Sequence, residues 1–216
     1  MKILFFGDSL TSGENNNFES YADKLNLKYS WNFAISGTTI GDYSLYPVGE
    51  THLLKLLEMK DKSVRAVDII FLAYGANDIT SVAMKYVSIL NVLIDLNKSI
   101  DLIKQKNPEC KIYYILPSQD KNVILSMAQA NENYLKDYLS GIKIDKNFIK
   151  RWIDGYKEFH KCIIKHKSID GVFYMIGDER FMEERICSDG LHPDDYGYEI
   201  IKNNIEGQLL SKSIII

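Results

Sequence analysis

The chain has 216 residues, of which 46% are hydrophobic and 25% are charged, so it is long enough and apolar enough for one globular domain with a sizeable core. We expect a single domain over residues 1–216. A formal net charge of -3 and an isoelectric point near 5.8 give no basic surface for nucleic acid. No apolar stretch approaches the ~20 residues needed to span a bilayer. Neither nucleic acid nor a membrane span is expected.

The cysteines and the start of the chain set two further expectations. Cys110, Cys162 and Cys187 are odd in number and far apart, so neither a disulfide framework nor a paired-cysteine metal motif is indicated. The first apolar run begins at about Lys2, which leaves no room for a signal peptide before it. We therefore expect a cytoplasmic location.

Predicted strands and helices alternate along the chain. The strands cover residues 3–6, 31–35, 67–73, 111–116 and 171–176. The helices cover residues 18–27, 50–60, 81–106, 123–139, 146–166 and 194–210, with Gly141 as a stop before the fifth and Pro193 suited to the first turn of the last. This alternation predicts a mostly parallel sheet with right-handed crossovers and helices on both faces.

Two segments between the second and fourth predicted strands have contrasting hydrophobic patterns. Residues 40–49 mix glycine, proline and tyrosine without a clear period, which predicts a loop. Residues 81–106 carry an apolar stripe at helical spacing that stops at Asn107-Pro108. The stripe consists of Met84, Val87, Leu90, Ile94, Ile100 and Ile103.

Polar residues follow the predicted strands where each strand ends. Ser9 follows the first strand, Gly37 the second and Asn77 the third, and a loop over residues 189–192 precedes the last helix. The carboxyl ends of parallel strands share one edge of the sheet, where ligands of such folds bind. A serine at a strand-to-helix turn is either a helix cap or a nucleophile. The other residues at this edge decide between the two.

Acyl transfer by serine requires a base, a group that orients the base, and donors for the tetrahedral oxyanion. Asp189 and His192 lie three residues apart, so one turn can direct the carboxylate at one ring nitrogen and leave the other facing Ser9. The proposed oxyanion donors are the backbone N–H groups of Ser9 and Gly37 and the side-chain amide of Asn77. No metal or organic cofactor is required by this chemistry.

These residues resemble the GDSL/SGNH hydrolases. The four blocks that carry the resemblance are Gly7-Asp8-Ser9-Leu10 with Gly13, residues 32–37, Gly75-Ala76-Asn77-Asp78, and Asp189-Gly190-Leu191-His192-Pro193. The resemblance implies a flavodoxin-like three-layer α/β/α sandwich with a mostly parallel five-stranded sheet. It also implies Ser9 as nucleophile, His192 as base, Asp189 as the orienting acid, and Ser9, Gly37 and Asn77 as the oxyanion hole. Ala34 departs from the pattern, because many members carry glycine there.

Other residues have competing interpretations. Asp8 and Asp78 suggest paired carboxylates, but we expect them to hold turns through side-chain-to-backbone bonds. Tyr43 and Tyr46, beyond Gly37, are predicted to lie near the substrate. Two sets on predicted helices are expected to serve packing or surface roles, namely Trp152, Tyr156 and Phe159, and His52, His160 and His166.

The leading hypothesis is a serine esterase that hydrolyses a small acyl ester, such as an acetyl ester of a carbohydrate, through an acyl-enzyme. A lysophospholipase or thioesterase of the same fold is the runner-up. The alternative class is a non-catalytic module that binds a glycan or a partner protein in the same cleft. The sequence leaves the natural substrate and the oligomeric state open.

Overall fold

A computed structural model describes residues 1–13, 18–46, 51–138, 143–178 and 180–214. They contain one five-stranded sheet in which every neighbouring pair is parallel, in the order β2-β1-β3-β4-β5. Its strands are β1 (Ile3–Gly7), β2 (Ser30–Asn32), β3 (Ile69–Ala73), β4 (Lys111–Leu116) and β5 (Gly171–Tyr174). All five carboxyl ends therefore lie on one edge.

Helices cover both faces of the sheet, as predicted. They are α1 (Ser9–Ser12), α2 (Tyr21–Lys24), α3 (Leu53–Met59), α4 (Asp61–Arg65), α5 (Ala76–Ala83), α6 (Ile89–Lys106), α7 (Lys121–Tyr138), α8 (Phe148–Lys165), α9 (Arg180–Glu184) and α10 (Asp195–Ser211). Helix α2 contacts α10, while α8 contacts α5, α6 and α7. The predicted α/β/α architecture is confirmed.

The central strands are apolar on both sides because helices pack on both sides. All of β1 and β3 is buried, and so is β4 after Lys111. The parallel register places Phe5 beside Phe71 and Phe71 beside Tyr113, and these rings stack at centroid distances of 4.9 and 5.5 Å. This aromatic row ties three strands together and holds their ends at a fixed spacing.

The second strand is shorter than the predicted residues 31–35. Its regular part ends at Asn32, yet the backbone N–H groups of Phe33 and Ile35 still donate to the carbonyls of Phe5 and Gly7. The pairing with β1 therefore continues up to the loop that carries Gly37, although the chain no longer follows regular strand geometry.

The single helix predicted over residues 81–106 is wrong. Helix α5 already begins at Ala76 and ends at Ala83, and Lys85 has a left-handed φ of 67°. Ser88 then caps α6 by accepting a hydrogen bond from the Asn91 N–H. The predicted stripe ran across this break, and two of its members, Leu90 and Ile94, are exposed in the structure.

Smaller corrections concern the ends of elements. Pro193 does not enter the last helix, because it precedes Asp194, the N-cap of α10. Helix α9 was not predicted at all. Gly141, the predicted stop between two helices, lies outside the described residues. Within the ranges that the structure describes, no helix is both long and apolar enough to cross a membrane.

Candidate active site

The turn after β1 presents Ser9 at the start of α1. Asp8 is the N-cap of this short helix, and its carboxylate accepts a hydrogen bond of 3.1 Å from the Leu10 N–H. Tyr198 of α10 reaches the same turn, where its hydroxyl donates to the Ser9 carbonyl at 3.3 Å. Ser9 is buried and held from both sides, so its position does not depend on a substrate.

The two glycines of this turn have different roles. Gly13 has a φ of 72° and ends α1, a conformation that glycine adopts without strain. Gly7 is required for space, because a Cβ there would lie 2.6 Å from Thr11 Oγ1 and 2.9 Å from the Ala73 carbonyl oxygen. Only glycine lets β1, β3 and α1 approach this closely beside the serine.

The structure brings the three predicted triad residues together. His192 Nε2 lies 2.9 Å from Ser9 Oγ, and His192 Nδ1 lies 2.7 Å from Asp189 Oδ2. These distances are within hydrogen-bond range. The histidine is only 2% exposed, so little water competes for its two ring nitrogens.

The Asp189 carboxylate determines which nitrogen of His192 carries a proton. Partial burial acts to raise the pKa of Asp189, but the hydrogen bonds from the His192 ring and from the Leu191 and His192 N–H groups outweigh it and lower the pKa to about 2. An ionised carboxylate only accepts hydrogen bonds, so Nδ1 must donate. In the neutral imidazole Nε2 is then an acceptor, and the Ser9 hydroxyl donates to it.

A short closed loop carries Asp189 and His192. Ile186 and Pro193 form an antiparallel bridge, and the Cys187 N–H donates to the His192 carbonyl at 2.8 Å. Gly190 turns the loop with a φ of 73°. Because the loop is closed at its base, the carboxylate and the imidazole keep a fixed spacing.

The predicted oxyanion donors lie at the ends of the three strands beside one another in the sheet. Ser9 follows β1, Gly37 follows β2 with a φ of 76°, and Asn77 is in the first turn of α5 after β3. The Asn77 amide donates one hydrogen bond to the Thr38 carbonyl at 3.1 Å, which orients it and leaves its second N–H for a further acceptor. Their role as an oxyanion hole stays a prediction.

The segment at Ala34, where the sequence departs from the family pattern, is held by Asn32. The Asn32 side chain accepts from the Ala34 N–H at 3.1 Å and donates to the Thr11 carbonyl at 2.8 Å. Ala34 itself is buried. The path from Asn32 to Gly37 is thus fixed against α1 without a glycine at position 34.

Asp78 ties the loop beyond Gly37 to helix α5. Its Oδ1 accepts from the Ile40 N–H at 2.8 Å and from the Tyr43 hydroxyl at 3.1 Å. The structural role predicted for this carboxylate agrees with these bonds. Tyr43 therefore commits its hydroxyl to the scaffold, whereas Tyr46 packs its ring against Tyr134 of α7. A substrate contact by either tyrosine stays a prediction.

Asp8 and Asp78 are both fully buried carboxyl groups with shifted titration. Burial raises the pKa of Asp8 to about 7, helped by the charge of Asp78 and opposed by the Leu10 N–H. Burial also raises the pKa of Asp78 to about 6, against the hydrogen bonds from Ile40 and Tyr43. Asp8 holds the turn that carries Ser9, and Asp78 holds the loop beyond Gly37, so the protonation of the two carboxyl groups bears on the stability of both segments.

Asp8→Asn is expected to flatten the pH dependence of stability. Between the unfolded pKa and the raised folded pKa, the unfolded chain releases a proton that the folded chain keeps, so the wild type loses stability as pH rises. At about 1.4 kcal/mol per pKa unit, the wild type should lose roughly 2–4 kcal/mol of unfolding free energy relative to the variant from pH 4 to pH 8. Asparagine still accepts from the Leu10 N–H and serves as an N-cap.

Urea unfolding of both proteins across this pH range measures the difference. Asp120→Asn is the matched control, since Asp120 is half-buried and makes the same kind of turn bond, to the Asn122 and Val123 N–H groups. If the unfolding free energies of wild type and Asp8→Asn changed in parallel with pH, the pKa of Asp8 would not be raised in the folded protein.

The remaining predicted residues lie in the scaffold. Trp152, Tyr156 and Phe159 are fully buried, which confirms core packing. His160 pairs with the Tyr174 hydroxyl and His166 with the Asn97 side chain. Cys110 is buried, while Cys162 and Cys187 are half-buried. In the part of the chain that the structure describes, no three His, Cys, Asp or Glu side chains are grouped to hold a metal ion.

Two residues beside the predicted triad were missed from the sequence. Tyr134 of α7 lies edge-to-face with the His192 ring, with centroids 5.7 Å apart and an interplanar angle of 82°. No motif surrounds it, and helical spacing does not distinguish a ring facing a site from one facing the core. Tyr198, which holds the Ser9 carbonyl, was missed for the same reason.

Solved structures of similar fold include esterases and lipolytic proteins. A psychrotrophic esterase from Pseudoalteromonas sp., inhibited by monoethylphosphonate, has a TM-score of 0.61 and 13% identity, with 99% of each chain covered. A member of the lipolytic G-D-S-L family from Veillonella parvula has a TM-score of 0.58 and 17% identity, with 96% of this chain and 97% of that chain covered. An acetyl xylan esterase from Butyrivibrio proteoclasticus has a TM-score of 0.57 and 16% identity, with 98% of this chain and 64% of that chain covered.

At these identities the likeness shows the fold. No curated protein matches the chain. The family model described as GDSL-like lipase/acylhydrolase matches residues 5–200, a span that includes Ser9, Gly37, Asn77, Asp189 and His192. The chain therefore belongs to the GDSL-like lipase/acylhydrolase family and is a serine hydrolase that acts on ester bonds.

Proposed function

We propose that the protein hydrolyses small acyl esters, acetyl esters above all, with Ser9 as nucleophile, His192 as base and Asp189 as the orienting acid. The observation that carries the proposal is the chain of hydrogen bonds from Asp189 through His192 to Ser9, with distances of 2.7 and 2.9 Å. This arrangement activates a hydroxyl for attack on a carbonyl.

The reaction has two halves. The Ser9 hydroxyl attacks the ester carbonyl while His192 Nε2 takes its proton, and the Asp189 carboxylate stabilises the imidazolium. The oxyanion accepts hydrogen bonds from the Ser9 and Gly37 N–H groups and the Asn77 amide. The alcohol leaves with the proton from His192. A water molecule, deprotonated by His192, then attacks the acyl-enzyme carbonyl, and the bond to Ser9 breaks as His192 returns the proton to the Ser9 oxygen and the acid is released.

An O-acetylated carbohydrate is the proposed substrate class. Support comes from the acetyl xylan esterase of similar fold and from the burial of Ser9 and His192, which favours a small acyl group over a long chain. The Tyr134 ring lies beside His192 and packs against the Tyr46 ring, and aromatic rings of this kind are surfaces on which sugar rings pack. A lysophospholipase or thioesterase of the same fold is the competing assignment.

The test combines labelling with a substrate series. A fluorophosphonate probe should modify the wild type, and peptide mass spectrometry should locate the adduct on Ser9. Hydrolysis of para-nitrophenyl esters from acetate to octanoate should give a kcat/KM that falls as the acyl chain lengthens, and acetylated xylo-oligosaccharides should release acetate.

The outcomes separate the candidates. Labelled Ser9 with higher kcat/KM on octanoate than on acetate would replace the acetyl assignment by the lipolytic one. An intact protein that binds acetylated oligosaccharides, yet shows neither labelling nor turnover, would support a non-catalytic module.

A further inference from the structure

Tyr134 lies on helix α7, between β4 and the loop that carries Asp189 and His192, and its ring is next to the His192 ring. The centroid of its ring lies 5.7 Å from that of the His192 ring, in an edge-to-face arrangement, and 6.2 Å from that of the Tyr46 ring. Tyr134 is half-buried while His192 is buried, so part of the tyrosine remains accessible beside a histidine that is otherwise covered. The Tyr134 ring is therefore a partly exposed aromatic neighbour of the buried His192 ring.

A buried polar network fixes the helix that carries this ring. Asn131 lies three residues before Tyr134 on the same face of α7, and its Oδ1 accepts from the Thr80 hydroxyl of α5 at 3.0 Å. The Trp152 indole of α8 donates to the same Thr80 oxygen at 3.0 Å. The Thr80 hydroxyl also lies 2.8 Å from the Ala76 carbonyl, so two acceptors share its one proton. Thr80, Asn131 and Trp152 are all buried, and their hydrogen bonds give α7 a defined position against the helix that carries Asn77.

The proposed mechanism determines which part of the substrate lies beside the Tyr134 ring. The leaving oxygen must receive its proton from His192 Nε2, so the alcohol lies on the histidine side of Ser9. The oxyanion points instead to Gly37 and Asn77. A ring packed against His192 therefore borders the alcohol portion of the ester.

We propose that Tyr134, together with Tyr46, forms the binding wall for the alcohol portion of the substrate and determines selectivity for ring-shaped alcohols such as sugars. The inference rests on the proposed function, because it requires an ester whose alcohol leaves by way of His192. An aromatic face matches the apolar C–H face of a sugar ring, and truncation of such a contact typically costs about tenfold or more in kcat/KM.

The test varies the alcohol and the acyl group separately. The variants are Tyr134→Leu, which removes the ring, and Tyr134→Phe, which keeps it. Tyr86→Leu is the control, since Tyr86 is an exposed tyrosine in the segment between α5 and α6. The substrates are methyl acetate, methyl butyrate and an acetylated xyloside, and the readout is kcat/KM for each.

Tyr134→Leu should lower kcat/KM for the xyloside about tenfold more than for methyl acetate, and the ratio of methyl butyrate to methyl acetate should stay within about twofold of the wild type. Tyr134→Phe and Tyr86→Leu should keep the wild-type preference for the xyloside.

Three results would overturn the inference. Equal losses on methyl acetate and the xyloside would show that the ring acts through the position of His192. A changed ratio of kcat/KM for methyl butyrate to that for methyl acetate would show that the Tyr134 ring contacts the acyl group. An unchanged kcat/KM for both methyl acetate and the xyloside would show that the ring does not contact the substrate. Fluorophosphonate labelling of Ser9 in the same preparations distinguishes these three results from failure of the proposed esterase function. If neither labelling nor turnover is seen in the wild type, both the proposed function and this inference are wrong.

Discussion

Ser9→Ala is expected to lower kcat for para-nitrophenyl acetate by about 10⁵- to 10⁶-fold, the cost of removing the nucleophile from a triad that acts as a unit. In the proposed mechanism the remaining side chains cannot form the acyl-enzyme, although the proposed oxyanion donors would still bind the ester. Ser9 Oγ makes a hydrogen bond to His192 and Ser9 is first in its helix after the N-cap, so its loss removes little from the scaffold. Thermal unfolding should therefore change little.

Ser118→Ala provides the matched control. Ser118 is also buried and also follows a strand at the same edge of the sheet, but its hydroxyl donates to the Ile176 carbonyl at 2.7 Å and accepts from the Asp120 N–H. Loss of these bonds should cost roughly 1–3 kcal/mol of unfolding free energy. Activity of the folded protein should remain. If Ser9→Ala retained more than a hundredth of wild-type turnover, Ser9 would not be the nucleophile.

The parts of the fold that the sequence predicts correctly depend on long buried runs. The strands β1, β3 and β4 are apolar on both faces and are recognisable because no surface helix of comparable length has that pattern. Once their order is known, the parallel sheet places Ser9 and Asn77 on one edge. The convergence of the candidate site follows from this topology.

The structure supplies what depends on contacts between distant segments. The break between α5 and α6 includes Lys85, which has a left-handed φ. A lysine in the sequence does not indicate that conformation. The raised pKa values of Asp8 and Asp78 arise from burial under loops that the sequence cannot position. Tyr134 reaches His192 across 58 residues of chain, and periodicity predicts the helix α7 without indicating what its aromatic ring contacts.

Asp189→Asn tests the orientation of the histidine separately from the nucleophile. Asparagine has nearly the same shape, and its amide oxygen can still accept from the Leu191 and His192 N–H groups that the carboxylate now binds at 3.0 Å. It cannot stabilise the imidazolium by charge. An amide N–H facing Nδ1 would also favour the tautomer with the proton on Nε2, which cannot accept from Ser9. We expect kcat to fall about 10⁴-fold.

Asp194→Asn is the control for the loss of one negative charge near the triad. Asp194 is the N-cap of α10, where its carboxylate accepts from the Gly197 N–H, and asparagine serves equally well as an N-cap. Turnover should therefore stay within a few-fold of wild type. Because the Asp189 carboxylate has a pKa near 2, it is ionised throughout the assay range, and the deficit of Asp189→Asn should persist from pH 6 to pH 8. If Asp189→Asn lowered kcat no more than Asp194→Asn does, Asp189 would not be the acid that orients His192, and another residue would have to accept the hydrogen bond from Nδ1.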